Sequence, residues 1–97
     1  MERVMLYAQL KDWPDGYEEV KYLADILRQY DMMYRVHVEL KMFHLRNGVE
    51  PEHIVVIVRW EGSGGGMRRT EMATFDDISE ATGMLRLLIG NAKEMRG

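Results

Sequence analysis

The chain contains no cysteine, only two prolines, and no apolar stretch close to the roughly 18 residues that a bilayer-crossing helix needs. The missing cysteine excludes disulfide staples and thiolate metal sites and suits a reducing compartment, so a cytoplasmic location is expected. The start, Met1-Glu2-Arg3-Val4, has no basic region leading into an apolar run, so neither a leader nor membrane association is expected. Positive charge is also scarce: 13 Lys and Arg stand against 16 Asp and Glu, a net charge of −3. That balance argues against bulk attraction to nucleic acid and leaves any such role to a local basic face.

What is present suffices for one folded domain spanning residues 1–97. Its 46% hydrophobic and 30% charged content can bury a core without staples. Nine methionines are many for this length, and as pliable fillers they are assigned to core gaps.

Along the chain the apolar period changes several times. Residues 3–10 alternate, Val4, Leu6, Ala8 and Leu10 against Arg3, Met5, Tyr7 and Gln9, which predicts a first strand. Trp13-Pro14-Asp15-Gly16 is a turn cluster in which Asp15 is expected to cap a helix, with Glu18 completing a capping box. From Tyr17, the positions Val20, Leu23, Ala24, Leu27 and Tyr30 follow helical spacing. Residues 34–42 return to period two, with Tyr34, Val36, Val38, Leu40 and Met42 facing in and Arg35, His37, Glu39 and Lys41 facing out.

Asn47-Gly48 and Pro51 mark a turn before the run from His53 to Trp60. Its unbroken β-branched segment, Ile54 to Val58, predicts a strand covered on both faces or lying centrally. Residues 69–75 read as a less apolar edge strand. Asp77 and Glu80 form a second capping box, and Ile78, Ala81, Leu85, Leu88, Ala92 and Met95 make the seam of a second helix, broadened by Leu87 and Ile89.

These elements predict an α+β fold of order β-α-β-β-β-α. It is a two-layer sandwich with a four-stranded, mostly antiparallel sheet and both helices on one face.

Residues 62–66, Gly-Ser-Gly-Gly-Gly, followed by Met67, carry two readings. One is a Gly-rich hairpin loop between the third and fourth strands; the other is an engineered linker marking a circular permutation or fusion join before Met67. In the permuted order the chain is similar in topology to the C-terminal domain of bacterial translation initiation factor three. As written, Glu18 to Met95 resembles the helix, three-strand, helix plan of the small Alu-binding signal recognition particle proteins. The first strand and the acidic balance depart from that plan, and neither resemblance carries a shared motif or any site residue.

No catalytic signature, metal-ligand spacing or nucleotide fingerprint is present. His37, His44 and His53 lie too far apart for a paired metal motif, so no metal and no cofactor is expected. The glycine stretch lacks the lysine and hydroxyl of a phosphate loop and is followed by a strand. An acid/base pair assembled from His37, Glu39 or Glu71 stays open, because neighbours across a sheet are invisible in a sequence.

The candidate binding residues are Arg35, His37, Lys41, Arg59, Arg68 and Arg69, which share a face if their strands are neighbours. Tyr7, Trp13, Phe43 and Trp60 offer stacking surfaces, with core packing the simpler role. The function expected is a non-enzymatic protein-interaction or assembly module that forms a homo-oligomer. RNA or ribosome binding through the basic face is the first alternative, and a small ligand-binding domain or enzyme the second.

Overall fold

In the computed structural model, residues 4–45, 48–63 and 66–96 are described. The elements are β1 (Val4–Gln9), α1 (Glu18–Tyr30), β2 (Tyr34–Leu45), β3 (Gly48–Ser63), β4 (Gly66–Phe75) and α2 (Ile78–Arg96). The strands form one sheet in the order β1-β2-β3-β4, and every neighbouring pair is antiparallel. The fold is thus the expected α+β sandwich, with helices on one side of the sheet and no helix on the other.

Strand chemistry explains the layering. Period-two alternation in β2 turns Tyr34 and Val38 into the helical side, where they meet Val55 and Ile57 of β3, Val20, Leu23 and Leu27 of α1, and Ala81, Leu85, Leu88 and Ile89 of α2. The register pairs Val36 with Ile57 and Val38 with Val55, so these side chains share one face. The whole run Ile54 to Val58 is buried, which requires cover on both faces of β3. Pro51 fits the outer reach of the same strand because β3 pairs with β4 only from Val55 onward.

Several local expectations change. α1 begins at Glu18 with Tyr17 in the capping position and no side-chain cap bond, so Asp15 does not cap it. The competing chemistry is a turn: the Tyr17 amide donates to the Pro14 carbonyl at 3.3 Å, and Gly16 takes φ +89°, as a type II turn demands of its third residue. At α2 the expected cap forms, with Asp77 Oδ1 accepting from the Ser79 amide at 2.8 Å.

Leu87 does not broaden the α2 seam but is 59% exposed, and Met95 at its end is 90% exposed. Two apolar strips on one helix face fill only as far as the opposing helix and sheet extend.

β3 and β4 are longer than expected. Their ladder continues past the last β2 pair, Tyr34 with Arg59, through Trp60 with Arg69 to Ser63 with Gly66. The connection between them is therefore two residues long, and beyond Trp60 this hairpin is a two-stranded ribbon. The molecule measures 53 × 34 × 23 Å, and its radius of gyration is 15.4 Å. A compact chain of this length would give about 12–13 Å. β4 also carries a register shift opposite Ile57 and Val58, a bulge of the kind found on edge strands.

Candidate functional site

The helix-free face of the sheet has an apolar stripe between polar borders. Ile54, Val56 and Val58 project there from β3, each at most 3% exposed, and Trp60 packs against them while staying partly exposed. Cross-strand partners supply the border on β2: Glu39 opposite Ile54, His37 opposite Val56, Arg35 opposite Val58. On β4, Thr74 lies opposite Val56 and Arg69 opposite Trp60. The stripe is buried although no described helix covers this face, so its cover comes from neighbouring strands and from Trp60.

The face has two ends of different character. At one, Lys41 Nζ lies 3.4 Å from Glu52 Oε2 across the β2/β3 pair. Near the middle, His37 Nε2 and Glu39 Oε1 are 2.9 Å apart, each side chain about four-fifths buried. They stand two residues apart on one strand and so project the same way. Of the three residues the sequence left open for such a pair, His37 and Glu39 are thus brought within hydrogen-bond distance.

Toward the other end lies a cavity of about 450 Å³ lined by Gln9, Arg35, His37, Glu39, Trp60 and Arg69, with Val58 also in its lining. Among the described residues its lining holds no serine, threonine or cysteine. Arg35 Nη1 donates to the carbonyls of Met32 at 2.5 Å and Tyr34 at 2.8 Å, which holds its guanidinium at the cavity edge.

The candidate cations thus divide. Arg35, His37, Lys41 and Arg69 share the helix-free face, but Lys41 belongs to its far end. Arg59 lies one residue from Trp60 and therefore projects to the helical side. There Nε donates to Asp31 Oδ2 at 3.0 Å, Nη1 reaches Glu61 Oε1 at 2.5 Å, and the guanidinium lies 5.7 Å from the centre of the Tyr34 ring. The hydrogen bond to Asp31 raises the Arg59 pKa further above its ordinary range. Arg68, opposite Glu61, alternates away from Arg69 in the same manner.

His53 turns to the helical side, its ring edge-on to Tyr17 at 5.9 Å, and the side chain of His44 lies outside the described residues. Among the described residues no group of three His, Asp or Glu is placed to hold a metal ion, and no helix is long and apolar enough to cross a membrane. The sequence reading missed Gln9, which only the β1/β2 register, Gln9 opposite Glu39, brings to the cavity.

Comparison with known proteins found no significant match to a family model, a curated sequence or a solved structure, so neither topological resemblance gains support. Function must be argued from this chain's own surfaces.

Proposed function

We propose that this domain is a non-enzymatic interaction module that pairs with a second copy of itself through the free edge of β4 and the ribbon beyond Trp60. The carrying observation is that ribbon: past Trp60, β3 pairs with β4 alone among the described residues, and two strands alone are marginal in water. β4 is an edge strand of ten residues without proline, the kind of edge that can add another strand.

Charge favours a second copy as the occupant. Arg68 and Arg69 stand near the start of β4, and Asp76 and Asp77 follow its end. Two β4 strands laid antiparallel about a two-fold axis bring the basic part of each toward the acidic end of the other, a self-complementary arrangement. The bulge in β4 limits regular pairing to part of the edge.

The test is light scattering after size exclusion. A dimer is expected for the natural chain, weakened by Arg69→Glu and by Asp76→Lys separately and regained when the two variants are mixed in equal amounts. A chain that stays monomeric into the high-micromolar range, or a mixture no better than its components, overturns the proposal.

A further inference from the structure

We infer that the cavity around Trp60 is a binding site for a nucleoside phosphate unit, taken either as a free mononucleotide or as one residue of a single-stranded RNA. The cavity, about 450 Å³, falls in the usual range for a small-molecule site. It lies on the sheet face and requires no dimer, although Arg69 belongs both to its lining and to the strand proposed for self-pairing.

Three features select that chemistry. First, Trp60 is a partly exposed aromatic packed against an otherwise buried apolar stripe, so its ring can stack on a planar base.

Second, a guanidinium stands on each side of it. Arg69 is its direct cross-strand neighbour on β4, and Arg35 sits diagonally on β2, opposite Val58. Such neighbours have Cβ atoms about 5 Å and 7–8 Å apart, and the planar forks suit a phosphate. Arg35 donates to two backbone carbonyls, which orient its guanidinium, and among the described residues no carboxylate is paired with it. The carboxylate in the cavity lining, Glu39, is engaged by His37.

Third, the opposite end of the cavity presents the Gln9 amide and the His37–Glu39 pair, donors and acceptors that can meet the polar edge of a base.

An acidic peptide would satisfy the two arginines but would leave the ring and the polar far end without a role. A basic peptide would meet two guanidinium groups at the rim. The combination of ring, two cations and a carboxylate hydrogen-bonded with its neighbouring histidine therefore fits a base joined to a phosphate.

The test follows the Trp60 indole N–H signal by NMR while guanosine monophosphate or octauridylate is added, at low and at raised salt. Movement of the Trp60 signal on saturation with either probe is expected, with binding weakened by salt. Arg35→Gln should lower affinity roughly tenfold or more, as for loss of a charge-assisted hydrogen bond. Trp60→Leu should abolish saturable binding while amide spectra report an intact fold.

Saturation by the mononucleotide identifies a free nucleotide as the source, and saturation by the oligomer alone identifies a strand. A Trp60 signal unmoved by both probes, or equal weakening by Arg28→Ala on the outer face of α1, overturns the inference. Asp76→Lys, which tests pairing of two copies, should retain saturable probe binding, and light scattering on the same samples separates a failure of this site from a failure of self-association.

Discussion

Asp31 and Arg59, 28 positions apart, close the end of α1 onto β3. Asp31 ends the helix, its amide bonded to the Leu27 carbonyl at 2.8 Å, and its two carboxylate oxygens serve the Met33 amide at 3.0 Å and Arg59 Nε at 3.0 Å. The Trp60 amide donates to the Met33 carbonyl at 3.0 Å, so the short turn from α1 to β2 is fastened to β3 on both sides of the chain.

Asp31→Ala removes both side-chain bonds at once. Hydrogen bonds to charged groups contribute about 1.5–3 kcal/mol, reduced here because both partners are about one-quarter exposed. A loss of roughly 1–2 kcal/mol is expected in urea unfolding, and Asp31→Asn should restore part of it by keeping the acceptor for the Met33 amide. Because Trp60 neighbours this fastening, the same variants should disturb the Trp60 resonance more than that of Trp13.

Alkaline pH should destabilise the protein through two tyrosines. Burial raises the Tyr17 pKa above its ordinary value of 10.0, helped by the negative charge of Glu52. Burial also raises Tyr34, with Arg59 opposing and Asp31 assisting. The folded state thus holds these protons more tightly than the unfolded state. The stability they contribute is full below the ordinary tyrosine pKa and is lost as pH rises through the higher folded values. Unfolding free energy should therefore fall above pH 10, with a shallower fall in Tyr17→Phe; an equal slope in both proteins would contradict this assignment.

Much of the fold was legible because burial leaves a periodic trace. Tyr34 to Val38 alternates, Ile54 to Val58 is apolar at every position, and Ala81, Leu85 and Leu88 repeat at helical spacing; each pattern corresponds to an observed packing face. The helix start failed where two signals overlapped: Asp15 is a sound cap by type, but Pro14 and Gly16 around it make a turn, and the turn prevailed.

The candidate site was less legible for a different reason. Arg59 and Arg69 look alike as strand cations. Only parity relative to Trp60 separates them, and only the cross-strand register brings Gln9 to Glu39. Apolar residues record their own burial, whereas a binding surface is a property of neighbours from different strands.

Ile54 and Ile57 allow the two faces of the sheet to be compared by one substitution. Ile57 lies in the core beneath the helices, while Ile54 belongs to the stripe on the other side, and both are at most 2% exposed. If side chains from β2 and β4 keep the stripe as dry as its burial indicates, Ile54→Ala should cost about 2–5 kcal/mol, in the same range as Ile57→Ala. A loss below about 1 kcal/mol for Ile54→Ala, measured by urea unfolding at matched m-values, would mean that water reaches this face in solution.

Glycine replacement separates conformational need from mere tolerance. Gly83 and Gly90 sit within α2, and a Cβ added at either would meet nothing within 4 Å. Each substitution to alanine should raise stability by about 0.5–1 kcal/mol, because alanine favours the helix and restricts the unfolded chain. Gly16 is different. A Cβ there would also meet nothing within 4 Å, but its φ of +89° is one that L side chains rarely adopt. Gly16→Ala should therefore destabilise by about 1 kcal/mol or more despite the open space. Thermal or urea unfolding of the three variants checks the set, and stabilisation by Gly16→Ala would show that the turn before α1 does not require the left-handed backbone.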